Sequence, residues 1–492
     1  MKIHTFLWFI LPLFVLFSCN QGIETAQKTD SYPDIFPDYR NIAIPVNIAP
    51  MNFGMKDGSD KMEAHFVRDG KTLLKCKGRR KIAIPLKAWR SMLHNTAGSD
   101  IQVRVYARRA GKWSVYQTFN IFVANDSIDP YIAYRLIDPG YEVWKQMGLY
   151  QRNLSNFEET PIILNRLTEE SCVNCHSFHN YNPNRMLFHS RGKESAGTFL
   201  FVDGRMQRIN TKTKSASTTG TYPVWHPSGN YVAFSSNTTR QTFHALSGKK
   251  IEYYDLESDL VVWDVKNAAM IRNEHFTSND FWETLPAWSP DGKWLYFCRS
   301  VAFDEKKMPF KCKDVKYGLH RVRFDAATGR FEDTKQYLSV PKITGKSVSY
   351  PRISPDGRYL LITTSDYGTF PIWHKEADLE MIDLRDVSTI DMQAVNSAEA
   401  DTYHAWSSNG RWIMFSSRRI DGLYTRLFFA YFDSSGKIHK PFLLPQKDPN
   451  HNLDLLKAYN VPEFIKGKVT ISPYKISRTL KGEIIELNEI FH

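Results

Sequence analysis

Long apolar runs are almost absent from this chain of 492 residues. One stretch alone, Phe6 to Phe17, is greasy enough to enter a bilayer, so a polytopic helical membrane protein is excluded. Glycine (26) and proline (24) are present only at ordinary levels, which removes collagen-like and low-complexity readings. A G-x-S-x-G nucleophile elbow is missing, and the strand-rich sequence leaves no room for an α/β catalytic domain, so a serine hydrolase is disfavoured. Cysteine is scarce, with six residues at positions 19, 76, 172, 175, 298 and 312. What is plentiful is aromatic: 12 Trp, 24 Tyr and 31 Phe in a chain that is 42% hydrophobic. That composition excludes a disordered chain and favours β architecture, where aromatic rings fit a pleated surface. The length implies two to four folding units.

The N-terminus reads as an export signal. Lys2 supplies the positive end, and the apolar core that follows is too short to span a bilayer. It ends in Leu16-Phe17-Ser18-Cys19, which resembles the lipobox of bacterial lipoproteins, with Phe17 bulkier than usual. That resemblance implies lipidation of Cys19 and a mature chain tethered to a membrane face. Asn20 is not the Asp that retains many such lipoproteins at the inner membrane, so the outer membrane is expected. The competing reading is an ordinary cleaved signal with an incidental cysteine. Net charge is +12, and removal of the signal takes away only Lys2. In an exported protein this points to anionic lipid or an acidic partner protein, not to nucleic acid. The densest basic run (Lys75, Lys77, Arg79, Arg80, Lys81) is read as a solvated strand and turn.

Cys172-Val173-Asn174-Cys175-His176 is a C-x-x-C-H run, the attachment signature of c-type haem. Two thiols add to the two vinyl groups on one porphyrin edge, a two-residue spacer lets the backbone make one turn between them, and the next residue, His176, binds iron from the proximal side. Export agrees with this, because covalent haem attachment occurs outside the cytoplasm. Three readings compete: a strained Cys172–Cys175 disulfide, zinc held by Cys172, Cys175, His176 and His179, and coincidence. No thioredoxin-like pattern surrounds the thiols, and the four residues sit too close together for usual zinc spacing. For a sixth iron ligand His189 ranks first and Met186 second; strand alternation puts them on opposite faces, so only one can point at the haem. Phe178, Tyr181, Met186, Leu187 and Phe188 are expected to wall the ring. An empty sixth site would favour small-ligand chemistry.

Upstream, Asn41 to Val123 reads as short alternating strands, among them Ile82 to Leu86 and Ile101 to Tyr106, which suggests an Ig-like β-sandwich. Gly140 to Met147 is a candidate short helix. From Thr221 onward the chain repeats. Units of strand, tight turn and aromatic strand centre on Pro227-Ser228-Gly229, Pro290-Asp291-Gly292, Pro355-Asp356-Gly357 and Ser408-Asn409-Gly410. Two hairpins per period make a four-stranded blade, so the repeat is that of a β-propeller. The turn glycines stand farther apart than the ~40–50 residues of a compact blade. The surplus is assigned to loops at 237–257 and 301–317. Five blades are clear and six are expected, Met186 to Thr211 being a degenerate first one. A Cys298–Cys312 disulfide is plausible, and Cys76 reads as a buried thiol.

The Trp-Ser-Pro-Asp-Gly units are similar to TolB-like propeller repeats. Together with Cys172 to Phe178, Tyr403 to Trp412, Lys440 to Gln446 and Tyr459 to Phe464, they resemble bacterial envelope TolB-like proteins that carry one c-type haem motif. This chain departs from the repeat at Ser228 and at Ser408-Asn409, each time keeping a turn-forming pair. The expectation is therefore an all-β protein: signal peptide 1–18, tether 19–40, β-sandwich 41–125, a connector 126–190 carrying the haem-attachment segment, a TolB-like propeller 186–465, and a closing segment 466–492. Expected function is that of a lipid-anchored monohaem cytochrome, with haem c on Cys172, Cys175 and His176, exchanging electrons with an envelope redox partner. The alternative is a propeller that binds a protein, peptide or glycan, with haem structural or sensory.

Overall fold

The structure is a computed structural model that describes residues 22–139, 146–192, 195–212, 218–243, 251–304 and 311–491. The signal segment, Cys19 and most of the candidate helix at 140–147 lie outside the described residues.

Residues up to Ala124 form the sandwich. Its larger sheet is organised on Ser99–Arg109, which alternates buried and exposed positions and pairs antiparallel with Lys61–Arg68, Lys112–Val115 and Phe119–Ala124. A three-stranded sheet of Ile35–Phe36, Phe53–Met55 and Lys81–Ile82 contributes to the same core. The expected strand at 82–86 ends at Ile82, and a helix runs over Leu86–Thr96. Trp89, Met92, Leu93 and Thr96 recur at helical spacing and are all buried, a period that the strand reading overlooked. The expected tether is also shorter than 19–40. Gln27–Lys28 adds parallel to Ser114–Val115, and Ile35, Phe36 and Tyr39 are buried, so the chain joins the sandwich from Gln27.

The rest is a propeller of six four-stranded blades. Blade 1 takes Tyr131–Ile137, Gly148–Asn153 and Glu159–Leu164 from the chain's first half, and its inner strand, Ala458–Ile465, from near the C-terminus. Blade 2 is Cys172–Phe178, Arg185–Arg191, Gly197–Val202 and Arg205–Asn210. Blades 3 to 6 begin with the inner strands Thr221–Trp225, Phe281–Trp288, Ser347–Ile353 and Asp401–Trp406. Each inner strand touches the next in cyclic order, and that of blade 2 touches Ala458–Ile465, so the ring is closed by non-local pairing. The stretch 126–190 is therefore not a connector. It supplies most of blade 1 and half of blade 2, and the C-x-x-C-H run lies on an inner strand.

Two further readings change. The expected loop at 237–257 is largely an extended antiparallel hairpin, Tyr231–Phe243 with Ile251–Asp264. Buried Asp255 pins it, accepting from Asn237 Nδ2 (2.9 Å), Tyr317 Oη (2.8 Å) and Thr369 Oγ1 (2.8 Å). The closing segment straps the outside: Ile484–Glu486 runs parallel to Arg205–Asn210, and Asn488–Phe491 parallel to Ala269–Arg272. Cys298 and Cys312 are buried thiols that are not joined in a disulfide, and Cys76 is a buried thiol in the sandwich.

Candidate functional site in the axial cavity

A regular strand cannot bring Cys172, Cys175 and His176 to one side, because neighbours alternate between faces. A β-bulge resolves this. Asn174 pairs with His189 and Ser177 with Leu187, so one extra residue is accommodated at Cys175-His176. Cys175 adopts φ 52°, the left-handed region that a side chain rarely occupies. The expected one-turn coil between the thiols is thus replaced by a kinked strand, and Cys172, Cys175 and His176 all line one cavity.

The same device recurs in every blade. Register shifts interrupt each inner strand at Thr221/Val224, Thr284/Ala287, Ser349/Arg352, Thr402/Ala405 and opposite Ala133/Arg135. The residue in the left-handed conformation is Tyr222, Leu285, Tyr350, Tyr403 or Val461, and the next is Pro223, Pro286, Pro351, His404 or Pro462. Cys175 and His176 occupy this repeated pair of positions in blade 2.

The cavity along the propeller axis has a volume of about 1340 Å³. Tyr222, Tyr350 and Tyr403 stack edge-on across it, with centroids 5.8 and 4.9 Å apart. Trp225, Trp288 and Trp406 wall it. Burial raises the Tyr222 and Tyr350 hydroxyls well above the usual phenol range, so they stay protonated donors. Burial also raises Cys172, against the opposing effect of Arg135 and Arg191.

His176 is 3% exposed, and burial, with Arg135 nearby, pushes its pKa down to about 3, leaving a neutral ring. Neither imidazole nitrogen makes a close hydrogen bond, although the Ala133 carbonyl lies near enough to favour the protonated ring slightly. The carboxyl oxygen Oε1 of Glu463 is 3.7 Å from Nε2. Burial lifts Glu463 to about 8, while its Oε2 accepts from the Phe178 N–H (3.1 Å). His404, at the equivalent position of blade 6, differs: its Nε2 donates to the Leu361 carbonyl (3.0 Å) and its Nδ1 meets Thr363 Oγ1 (3.3 Å). A buried, neutral imidazole without a close hydrogen bond, beside two free thiols, is what sets blade 2 apart.

The expected sixth ligands do not reach the cavity. Met186 packs into the core shared by blades 1 and 2, and His189 turns the other way, its Nδ1 on Thr198 Oγ1 (2.8 Å) and its ring against Phe234. Alternation does place them on opposite faces. In a propeller, however, both faces of a second strand look at neighbouring blades, and only inner strands look at the axis. Phe178 and Tyr181 line the cavity as expected, whereas Leu187 and Phe188 do not. His179 is hydrogen-bonded to the Pro227 carbonyl (2.9 Å). No cluster of three or more His, Cys, Asp or Glu suited to a metal ion occurs among the described residues, which removes the zinc reading there. Sequence reasoning missed Arg135, Arg191, Arg352, Glu463 and the tyrosines as site residues. The Tyr-Pro and Tyr-His pairs at the bulges were the available signal.

No family model matches the chain, and no curated protein does. Among solved structures it is similar to the S511A mutant of puromycin hydrolase complexed with PGG (15% identity, TM-score 0.37, covering 64% of this chain and 45% of that one). It is also similar to the periplasmic gluconolactonase PpgL of Pseudomonas aeruginosa (12%, 0.33, 64% and 96%) and to Kuenenia stuttgartiensis hydrazine synthase (12%, 0.28, 52% and 76%). The chain spans less than half the length of the puromycin hydrolase. Likeness at this level transfers no activity, and the fold stands on its own strand pairing.

Proposed function

We propose that this protein is a monohaem c-type cytochrome built on a TolB-like propeller, held at the cell envelope by a lipid on Cys19. Cys172 and Cys175 hold the macrocycle, and His176 is the iron ligand. One observation carries the reading: two free thiols and a buried imidazole that makes no close hydrogen bond share a wall of a cavity larger than the ~300–1,000 Å³ of ordinary small-molecule sites. A buried nitrogen that makes no bond is costly unless something else satisfies it. When bound, haem supplies one-electron chemistry at iron. The chain's own residues do the rest. The neutral His176 presents a lone pair, the tryptophans exclude water, and the protonated tyrosines offer hydroxyl donors. The partner is a redox or other envelope protein.

The alternative, a binding protein in which haem is structural or sensory, is favoured by one feature: the motif lies inside the ring, with Cys172, Cys175 and His176 at most 9% exposed. The deciding experiment is expression with a haem-attachment system, followed by intact mass, haem stain and visible spectra in both redox states. A mass increase of one macrocycle, lost in Cys172→Ser/Cys175→Ser, is expected. A chain of unmodified mass ends the proposal. A haem that exchanges no electrons with envelope extracts, while the chain still captures a partner, favours the alternative.

A further inference from the structure

An edge strand carries unmet backbone groups unless something pairs with it or covers it. This fold covers several edges with its own chain. Gln27–Lys28 lies along Lys112–Val115, Ile484–Glu486 along Arg205–Asn210, and Asn488–Phe491 along Ala269–Arg272. The sandwich strand Lys71–Gly78 is left open. Among the described residues it pairs with Lys61–Arg68 alone, and its backbone makes no hydrogen bond beyond that ladder. The helix Leu86–Thr96 lies beneath the same hairpin, with Trp89 edge-on to Phe66 (5.9 Å), and gives the open edge no backbone bond. Phe66 pairs with Leu74 and Val67 with Thr72, so Leu73 is a bulge and the regular stretch is Leu74–Gly78.

Positive charge sits on this stretch and just after it. Cys76 is buried and Leu74 packs against the core, so Lys75 and Lys77 share the outer face, about 6.8 Å apart along the strand. Lys77 reaches Glu63 (3.2 Å), which also meets His65 (2.7 Å). Lys75, Arg79 and Arg80 are exposed and make no ion pair among the described residues. Arg79 and Arg80 go on to line a groove between the sandwich and blade 6. The groove's carboxylates are all taken: Asp448 by Lys81 (2.6 Å), Asp60 by Arg108 (2.6 Å) and Asp38 by Lys440 (2.9 Å). The outer strand of blade 4, Arg330–Tyr337, is as long and also ends its sheet, but it is mixed in sign, with Glu332 facing Arg323 (3.5 Å).

Lysines along an edge repel a second copy of the same strand. They favour a strand of opposite sign, whose carboxylates at alternate positions match the spacing of Lys75 and Lys77. We propose that Leu74–Gly78 is a docking edge for an extended acidic segment of a partner protein. The segment adds as a further strand, sets carboxylates against Lys75 and Lys77, and meets Arg79 and Arg80 past the strand's end. Backbone pairing supplies the geometry and charge the selectivity. This gives a chemistry to the envelope partner proposed above and rests on that reading for the partner's compartment alone, since neither haem nor the axial cavity takes part.

The probe is a synthetic octapeptide of alternating Glu and Thr, labelled at one end and titrated into the full chain by fluorescence anisotropy. Saturable one-to-one binding is expected, weakened by added salt and weakened at least tenfold in Lys75→Glu/Arg79→Glu. Both side chains are exposed, and circular dichroism checks that the variant folds. Two further peptides need no change in the protein: N-methylation of the Glu residues, or of the Thr residues, strips the N–H groups from one edge of the added strand at a time. One of them should lose at least tenfold in affinity and the other keep it. Equal behaviour of the two reduces the contact to charge attraction and overturns the proposal. So do absence of saturable binding and equal binding of a Lys–Thr octapeptide. Phosphatidylglycerol vesicles that bind through Lys75 and Arg79 when the peptide does not, or a sedimenting dimer abolished by the same variant, assign the edge to a membrane or to a second copy and overturn it as well. Haem content is measured by mass in each preparation. Peptide binding by a chain without haem leaves this proposal standing while the cytochrome reading fails, and a haem-loaded chain that ignores the peptide does the reverse.

Discussion

Restoring the repeat consensus in blade 6 should destabilise the protein. Blades 4 and 5 turn through Ser289-Pro290-Asp291-Gly292 and Ser354-Pro355-Asp356-Gly357, where the serine Oγ donates to the aspartate Oδ1 at 2.5 Å. Blade 6 has Ser407-Ser408-Asn409-Gly410, and Asn409 keeps the internal bond from Ser407 (2.6 Å) and that from the Arg411 N–H (3.1 Å). The departures serve a second purpose. The N–H and Oγ of Ser408 donate to the two carboxylate oxygens of Asp129, both at 2.7 Å, and Asn409 Nδ2 donates to the Ser127 carbonyl at 2.8 Å. Residues 126–129 are the passage from sandwich to propeller. Proline has no N–H, and aspartate cannot donate. Ser408→Pro/Asn409→Asp removes three bonds, two of them to a carboxylate that is 7% exposed. At about 1.5–3 kcal/mol for a bond to a charged group and ~1 for a neutral one, the loss comes to about 4–7 kcal/mol. Consensus reasoning alone expects the opposite sign, a gain of roughly 0.5–2 kcal/mol. Urea unfolding followed by tryptophan fluorescence, with limited proteolysis at 126–130, separates the two. A double variant with the wild-type midpoint or a higher one refutes the docking argument.

Other outcomes follow from the same geometry. Asp356→Asn, which copies blade 6, should change stability by less than ~0.5 kcal/mol, whereas Asp356→Ala should cost about 1.5–3 kcal/mol by stripping the Ser354 hydroxyl and Arg358 N–H of their acceptor; equal denaturation midpoints would count against the turn network. In haem-loaded protein, Met186→Leu should leave the oxidised and reduced spectra unchanged, since Met186 faces blade 1; a shifted ligand-field band would return it to the iron. Burial opposes ionisation of Asp38, but hydrogen bonds from Arg40 and Lys440 win and hold it at about 2. Its stabilisation is complete above pH ~4 and fades as pH falls through ~2, amounting to roughly 1 kcal/mol once exposure is allowed for. Asp38→Asn should flatten that part of the stability–pH curve, and an unchanged slope would rule the pair out as a clasp between sandwich and blade 6.

Legibility in the sequence followed locality. The Pro-Asp-Gly turns announce hairpins, and blades 3 to 6 were placed from them. Blade 1 carries no such signal because its inner strand, Ala458–Ile465, and its partner, Tyr131–Ile137, are separated by most of the chain. Blade 2 was seen only from Met186, since its first turn, His179 to Asn184, lacks the motif. The haem run was legible as chemistry, yet its strand was read as a connector, because the fingerprint that marks inner strands is a backbone conformation and not a residue type. Cysteine, tyrosine, leucine and valine all occupy that position. The missed arginines are a consequence: without the ring, nothing brings Arg135, Arg191 and Arg352 together.

The placement of the thiols bears on how such a motif enters a propeller. A helical turn brings two cysteines and a histidine to one side by its own period, whereas a strand must be bent to do so. Here the bend predates the chemistry in a structural sense: all six inner strands have it, five of them without the cysteine pair. It serves the ring by turning one side chain per blade toward the axis, where Tyr222, Tyr350 and Tyr403 meet. Placing Cys175 at the bulge, His176 after it and Cys172 three residues earlier turns a packing position into a reactive one without altering the blade. The cost falls on His176. His404 at the same station makes two close contacts, with the Leu361 carbonyl and Thr363, while His176 makes no close hydrogen bond and has only the Ala133 carbonyl near its ring, and that unmet capacity is the feature any account of this protein's function has to explain.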